Sequence, residues 1–421
     1  MSGIRGRLGI VRRSLRQHAL STAVTALSLA LASGLVMAVF QIEHQARLAF
    51  TGGASGFDAI LGARGSPLQL VLNTVYHLES SPGNVPWSMY EELRDDPRVE
   101  LAVPYVLGDS YRGFRVVGTT EELFTELEVR RNRKLALREP GRVFDPTLRE
   151  AVIGSYVAQR TGLRVGAHFE PSHGLSGDGE EHDEEYVVVG VLEPTNGPID
   201  RVIWIPIDGM FHMEGHVFFG TGEEFVPDPD VPIPDEHKEV SAVMLKLKGG
   251  FGVGSTLAQE LNREDGRATL AYPIAQYMAQ LFDKLGWMTR VLTLVAYLVV
   301  AVAAGSVLAS IYNTMNERRR EFAILRALGA RRSTVFSVIV LESAAIAFLG
   351  ALLGLVVYAG IFYGAAALIR SQTGVVLDLF ALHPALGWTP LGIVDLGALT
   401  GVLPALKAYR TDVAEHLVPT S

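Results

Sequence analysis

The chain has 421 residues, of which 48% are apolar and only 19% are charged, and its formal net charge is −8. The charge is unevenly distributed, because residues 41–285 hold 22 Lys and Arg against 38 Asp and Glu, whereas the rest of the chain holds 15 against 7. The basic residues lie beside apolar runs rather than on a polar domain, which argues against nucleic-acid binding. The absence of cysteine excludes disulfides, thiolate metal sites and a cysteine nucleophile.

Four apolar runs are long enough to cross a membrane. They cover residues 19–40, 291–312, 333–369 and 384–406, the last two interrupted by Glu342 and Asp395. A helix needs about 20 apolar residues to cross a hydrocarbon core of about 30 Å. The sequence therefore predicts four transmembrane helices, the first too long to be the apolar part of a signal peptide. We expect Asp395 to face another helix, and Glu342 to reach the interface or Arg331 and Arg332.

Basic residues cluster in the three segments that flank these runs, at residues 1–18, 313–332 and 407–421. Positive charge is enriched in cytoplasmic segments of membrane proteins. The pattern predicts a multi-pass protein of the inner (plasma) membrane with both termini in the cytoplasm. Residues 41–285 and the short loop 370–383 are then extracytoplasmic.

The acidic segment 41–285 contains no spanning run and mixes two kinds of pattern. Strand-like stretches are Leu101–Val106, Gly113–Gly118, Tyr186–Leu192, Arg201–Ile207 and Val240–Lys248. Helix-like stretches are Trp87–Asp95, Ser255–Glu264 and the residues from Pro273 onward. The fold class predicted is therefore an α-helical membrane protein with an α+β extracytoplasmic domain.

Apolar residues continue at helical spacing beyond the first two spans. Ile274, Met278, Leu281 and Leu285 are spaced 4, 3 and 4, as in the seam between two packed helices. This pattern predicts stalk helices at about 41–51 and 273–290 that connect the membrane to the outer domain. Ordinary packing of these residues against the base of that domain is the alternative.

Two short amphipathic segments lie on the predicted cytoplasmic side. Residues 1–18 place apolar and arginine side chains on opposite faces, which predicts a helix that lies along the membrane interface. In residues 313–332, Phe322, Leu325 and Leu328 form an apolar stripe among charges, Gly329 is a natural helix stop, and Ser333 can cap the next helix. A short helix held between two spans can transmit force to a cytoplasmic partner. A basic hairpin set only by topology is the alternative.

The run ERRREFAILRALGARR at residues 317–332 resembles the coupling segment of FtsX-like permeases of the MacB/LolC/LolE-type ABC transporter superfamily. The ending GVLPALKAYRTDVAE at residues 401–415 is similar to the C-terminus of that family, and the order of one span, outer domain and three spans also matches. The resemblance implies a MacB-like periplasmic core domain for the middle of the chain.

The same resemblance implies a mechanical function. In such systems two permease subunits dock on two separate cytoplasmic ATPase subunits, and the motion of the ATPases passes through stalks to the outer domains. The implied partners are an ATPase dimer, a second copy of this chain or a sister permease, the lipid bilayer, and a periplasmic adaptor or substrate-binding protein. The implied cargo is a lipoprotein, lipid, peptide or similar envelope molecule. The implied coupling residues are Glu317, Arg318, Arg319, Arg320, Glu321, Phe322, Leu325, Arg326, Leu328 and Gly329.

The chain itself is expected to be non-catalytic, with ATP and Mg²⁺ bound by the partner. Its nearest approach to a phosphate-binding loop, Gly249–Ser255, lacks the lysine and is better explained as a strand-to-helix turn. One alternative function is an FtsX-like regulator that activates a cell-wall hydrolase without transport. Another is a metal-handling envelope protein, because imidazole and carboxylate groups suit Zn²⁺; its candidate ligands are His173, His182, His212 and His216.

Overall fold

The computed structural model describes residues 4–51, 56–130, 133–174, 184–213, 233–263, 266–378 and 381–410. The helices are α1 Ile4–Gln17, α2 Ala19–Thr51, α3 Pro67–Thr74, α4 Trp87–Arg94, α5 Glu122–Thr125, α6 Ser155–Thr161, α7 Ile207–Phe211, α8 Phe251–Leu261, α9 Ile274–Glu317, α10 Arg319–Ala327, α11 Arg332–Thr373 and α12 Ala385–Arg410. Two short 3₁₀ helices cover Pro198–Arg201 and Asp235–His237.

The strands are β1 Ala59–Ala63, β2 Val85–Pro86, β3 Val99–Tyr111, β4 Phe114–Thr119, β5 Glu128–Arg130, β6 Arg133–Lys134, β7 Glu150–Ile153, β8 His168–Phe169, β9 Ser172–His173, β10 Tyr186–Val191, β11 Val202–Pro206, β12 Glu239–Val240, β13 Ala242–Leu247 and β14 Ala268–Ala271. The chain divides into two compact units. We call the first the helical unit; it comprises Met1–Gln45, Leu285–Ala367 and Asp378–Ser421. We call the second the sheet unit; it comprises Ala46–Lys284 and Leu368–Leu377.

The sheet unit is built on a ten-stranded sheet, in the order β14-β1-β13-β3-β4-β11-β7-β10-β8, with β9 paired to β3. The β4–β11 and β7–β10 pairs are parallel, and the other recorded pairs in this sheet are antiparallel. Helices and strands together therefore form the expected α+β domain.

Both faces of the sheet are covered. In β11, Ile203 and Ile205 enter one hydrophobic core, whereas Val202 and Trp204 enter the core on the opposite face. A strand buried on both faces needs an unbroken apolar run, because successive side chains point to opposite sides. This explains why the sequence VIWIP of β11 is apolar throughout and carries no alternation.

The last turn of α11 belongs to the sheet unit rather than to the helical unit. Val375 is buried in the core that contains Val202 and Trp204, which we call the second core, and Ile369 packs against that core. The Val376 N–H donates to the Asn196 carbonyl at 3.3 Å, and the Arg201 guanidinium donates to the Gln372 carbonyl. One apolar helix therefore begins in the helical unit and ends inside the sheet unit.

Within the described ranges, four helices are long and apolar enough to cross a membrane: Ala19–Thr51, Ile274–Glu317, Arg332–Thr373 and Ala385–Lys407. Three of them pack closely because glycines replace larger side chains at the contacts. A Cβ atom added to Gly350 of α11 would lie 2.6 Å from the Leu29 Cβ of α2, and one added to Gly354 would lie 2.8 Å from the Ser33 Cβ. Gly397 and Gly401 of α12 make equally close contacts with Ala347 and Ser343.

Three local expectations differ from what the structure shows. Asp395 is exposed rather than packed against another of the described helices of this chain, because Ile393, Gly397 and Gly401 turn the opposite face of α12 toward its neighbours. The helix expected at Ser255–Glu264 begins earlier, at Phe251, so that only Lys248, Gly249 and Gly250 lie between β13 and this helix. Ser333 lies inside the first turn of α11, which begins at Arg332, and is therefore not its cap.

The close contact at Gly350 can be tested with a matched pair of substitutions in one helix. Gly350→Ala should lower stability by about 1–3 kcal/mol, because the added methyl group overpacks the contact with Leu29. Gly360→Ala is the control, since a Cβ at Gly360 meets no atom within 4 Å. Both changes alter helix propensity equally, so the difference between their thermal unfolding curves in detergent isolates the contact. Equal unfolding temperatures would contradict the packing described.

Candidate coupling site

The short helix α10 is bounded by two distinct backbone signals. It begins after Arg318, whose φ and ψ of −99° and 11° break the continuous helix α9. It ends at Ala327, and Gly329, just beyond the capping residue Leu328, has a left-handed φ of +96° that favours glycine, as expected from the sequence. The Ala330 N–H closes the end by donating to the Leu325 carbonyl at 3.0 Å.

The Arg318 side chain lies inside the helical unit and holds α10 to two other helices. Its Nη1 atom donates to the Ser14 hydroxyl of α1 at 2.5 Å and lies 3.6 Å from the Glu342 carboxylate of α11. The Ser14 hydroxyl in turn donates to Glu342. Arg318 is only 7% exposed and Glu342 only 5%. We call Ser14, Arg318 and Glu342 the buried triad.

Two further contacts orient the Arg318 guanidinium. Its Nε atom donates to the Glu321 carboxylate at 3.0 Å, and the guanidinium carbon lies 5.1 Å from the centre of the Phe322 ring. A charge removed from water needs both an opposite charge and full hydrogen bonding to be stable. The sequence had suggested Arg331 or Arg332 as the partner of Glu342. In the structure its partner is Arg318.

The opposite face of α10 is turned outward. Arg320 is exposed, and two large apolar side chains on the same face remain in contact with solvent, Ile324 at 44% and Leu328 at 80% exposure. Residues spaced by four lie on one face of a helix. Exposed apolar groups beside a basic group are typical of a protein interaction surface. We call Arg320, Ile324 and Leu328 the outward face.

The remaining predicted coupling residues fall on the inner side or at the edges. Phe322 is buried in the core of the helical unit, and Leu325 packs against that core. The exposed Glu317 carboxylate lies 3.6 Å from Nδ1 of His18, the residue between α1 and α2. Arg326 is half-buried, and Gly329 is exposed at the end of the helix. The side chain of Arg319 lies outside the described residues.

The four predicted seam residues separate into two groups. Ile274 and Met278 are buried in the second core of the sheet unit, and Leu281 packs against that core. Leu285 is 39% exposed and belongs to the helical unit.

Contacts between α9 and the end of α2 use other side chains. Arg47 and Asp283 form an ion pair at 3.0 Å, and the rings of Phe50 and Phe282 lie 5.8 Å apart. The first part of α9 is therefore packed both into the domain core and against α2.

The predicted metal ligands are only partly within the described residues. His173 lies 3.1 Å from the buried Asp109 carboxylate, and the His212 ring bonds the Asp208 carbonyl of its own helix at 2.7 Å. His182 and His216 lie outside the described residues. Among the described residues no three metal-binding side chains come together.

Another histidine, His77, is enclosed by cations. Burial and the positive charges of Arg115 and Arg201 lower the pKa of His77 to about 3. The ring is therefore neutral at physiological pH and carries no charge in this part of the sheet unit.

Sequence reasoning missed two residues of this site. Ile324 was not predicted, because the sequence analysis assigned the apolar face of α10 to Phe322, Leu325 and Leu328. Its spacing of four from both Arg320 and Leu328 was the available signal. Ser14 gave no signal of its own, since a serine in an amphipathic helix has no preferred partner.

Two families of known proteins match the chain. The MacB-like periplasmic core domain matches residues 22–264, and the C-terminal domain of FtsX-like permeases matches residues 293–413. The chain therefore belongs to the family of FtsX-like permeases that carry a MacB-like periplasmic core domain. As in the sequence-based prediction, it is a helical membrane protein with an α+β outer domain.

Individual relatives are similar over part of their length. The ABC transporter permease YknZ of Bacillus subtilis is 27% identical over 236 residues, covering 52% of this chain and 57% of that protein. The macrolide export ATP-binding/permease protein MacB of Syntrophobacter fumaroxidans is 26% identical over 192 residues, covering 44% of this chain and 26% of that protein. The chain thus spans about half of YknZ and about a quarter of this MacB.

Solved structures give similar matches at low sequence identity. The periplasmic region of MacB from Actinobacillus actinomycetemcomitans is 11% identical, with a TM-score of 0.34, covering 55% of this chain and 94% of that structure. The extracellular domain of YknZ is 15% identical, with a TM-score of 0.29, covering 51% of this chain and 99% of that structure.

The buried triad is tested by comparing two neighbouring arginines. Arg318→Gln should destabilise the protein by about 3–5 kcal/mol, because it leaves the Glu342 carboxylate buried without a positive partner. Arg320→Gln, on the exposed side, should change stability by less than about 0.5 kcal/mol. Adding Glu342→Gln to Arg318→Gln should restore part of the loss. Thermal unfolding in detergent measures all three, and an Arg318→Gln variant as stable as Arg320→Gln would rule out the triad.

Proposed function

We propose that this chain is the transmembrane subunit of an ABC transporter complex and that α10 is the docking site of a separate cytoplasmic ATPase. One observation carries the proposal. The two helices that flank α10, α9 and α11, each run without interruption between residues of the helical unit and residues of the sheet unit, where Ile274 is buried in a core and Ile369 packs against the same core. A displacement of α10 therefore acts on two continuous helices that both end in the outer domain.

The dimensions of these helices support mechanical transmission. With 44 and 42 residues, α9 and α11 are about 66 Å and 63 Å long at 1.5 Å per residue. A hydrocarbon core of about 30 Å takes only about half of that length. The remainder supplies rigid helix outside the bilayer, which is the structural requirement for carrying motion from one side of a membrane to the other.

Charge supports the proposed orientation. Arginines precede α2, surround α10 and follow the apolar run of α12, and positive residues are enriched on the cytoplasmic side. We infer that both termini and α10 are cytoplasmic and that the sheet unit is extracytoplasmic. Lys407 Nζ donates a hydrogen bond of 2.5 Å to the Tyr312 hydroxyl. In this orientation both residues lie near the cytoplasmic ends of their helices, α12 and α9.

The proposed complex contains two copies of this chain, or this chain and a sister permease, with an ATPase dimer. ATP and Mg²⁺ bind to the ATPase, because Gly249–Gly250 is a turn into α8 and no lysine follows it at the position that a phosphate-binding loop requires. The action proposed is export or extraction of a lipoprotein, lipid, peptide or similar envelope cargo. Activation of a cell-wall hydrolase through the same outer domain is the alternative outcome of the same mechanics.

The docking proposal predicts which substitutions release the ATPase without unfolding the permease. Leu328→Glu should abolish copurification of ATPase activity from gently solubilised membranes, because a charge replaces an exposed apolar anchor of the outward face. Loss of such an anchor costs about 2 kcal/mol or more, which is roughly thirtyfold in affinity. Arg320→Glu should weaken the interaction in the same direction.

Arg12→Glu is the matched control, since Arg12 is an exposed arginine on α1 outside the outward face. It should retain the ATPase. Retained ATPase activity with Leu328→Glu and Arg320→Glu, in protein that unfolds at the wild-type temperature, would disprove docking at α10.

A further inference from the structure

A cavity of about 680 Å³ lies in the sheet unit beside α6. Three arginines line it, Arg138, Arg164 and Arg370, and Glu139 is the one carboxylate among the lining residues. Its volume is in the range of 300–1,000 Å³ that is typical of small-molecule sites. The cavity therefore combines ligand-sized volume with an excess of positive charge.

No ion pair joins these three arginines to a carboxylate of the described residues, as is also the case for other arginines of the unit such as Arg64 and Arg112. Arg370 donates from Nη2 to the amide oxygen of Gln159 at 3.3 Å and lies 5.3 Å from the centre of the Tyr156 ring, and both of these partners are uncharged. By contrast, Arg98 forms ion pairs with Asp96 and Glu260, each at 2.8 Å.

The surrounding composition makes this local excess of positive charge unusual. Residues 41–285, which make up most of the sheet unit, hold 22 basic and 38 acidic residues, so that carboxylates are abundant as partners. Three arginines and a single carboxylate line one cavity, which gives it a net positive charge in an otherwise negative domain. Such a site attracts an anion.

We propose that this cavity binds the phosphate group of a phosphate-bearing ligand. Guanidinium groups bind phosphate oxygens in a bidentate geometry, which a simple ammonium cannot do. Gln159, which also lines the cavity, adds an amide as a further hydrogen-bonding group. The proposal concerns a ligand of the outer domain and does not depend on ATPase docking at α10.

Position along the chain favours an anionic phospholipid as the source of the phosphate. Arg370 is the first charged residue after the 27 uncharged residues 343–369 of α11, a length of about 40 Å that exceeds the hydrocarbon core. Arginine at the end of a spanning helix lies at the level of lipid headgroups. Leu163, Val165 and Val191 give the same cavity an apolar lining that suits the glycerol and acyl parts of a lipid.

The test uses the full-length protein in nanodiscs that contain zwitterionic phosphatidylcholine with or without anionic phosphatidylglycerol. Native mass spectrometry counts the phospholipids that the released protein retains. We expect wild-type protein to retain phosphatidylglycerol, and Arg138→Gln/Arg164→Gln to retain it roughly thirtyfold more weakly, at about fivefold per arginine. Both arginines are exposed, so that the double variant should unfold at the wild-type temperature.

Arg263→Gln/Arg267→Gln is the matched control, because it removes two exposed arginines of the same unit that do not line the cavity. Inorganic phosphate distinguishes the sources. If only the cavity variant loses phosphatidylglycerol, the ligand is a lipid. If the wild type shows no preference for phosphatidylglycerol but binds inorganic phosphate, and only the cavity variant loses that binding, the ligand is a soluble phosphate compound. If the cavity variant and the control retain both probes equally, the proposal is wrong.

Discussion

The arrangement of the membrane helices depends on one buried ion pair, between Arg318 and Glu342. Both groups are almost completely enclosed, so that the pair must remain intact or leave an uncompensated charge in the interior. Ser14 bonds to both members and thereby includes α1 in the same contact. Three segments that are far apart in the sequence are held at one point, at the junction of α9 and α10. The position of α10 follows from this constraint.

A helix held in this way has one inner and one outer side. Phe322 and Leu325 contribute to the core of the helical unit, whereas Arg320, Ile324 and Leu328 stay accessible. The accessible side can accept a partner without any loss of internal contacts, and Arg318 on the buried side contacts α1 and α11. Under the proposed function, a fixed inner side and an accessible outer side suit an element that transmits force. The helices α9 and α11 each have residues in both units.

Much of this architecture could be predicted from the sequence, because the signals are long and local. Four apolar runs predicted the four spanning helices, Gly329 predicted the end of α10, and the mixed pattern of the acidic segment predicted an α+β domain. The matched families confirm the membership that the run at residues 317–332 suggested.

What could not be predicted depends on tertiary packing. Arg318 and Arg320 are chemically identical neighbours in a run of three arginines, and only the position of Glu342 and Ser14 decides which of them is buried. Asp395 was expected to meet another helix, but the glycines of α12 turn its other face inward. The cavity that includes Arg138, Arg164 and Arg370 joins three distant parts of the chain and has no local signature.

The central claim is that the outward face of α10 is covered by an ATPase, and its most direct test uses the absence of cysteine from the chain. A single Leu328→Cys substitution gives a unique thiol, which a maleimide can label in inverted membrane vesicles. The account predicts rapid labelling without the ATPase and strong protection when the ATPase is bound, with Arg12→Cys labelled equally in both states. Labelling of Leu328→Cys that does not change when the ATPase is bound would contradict it.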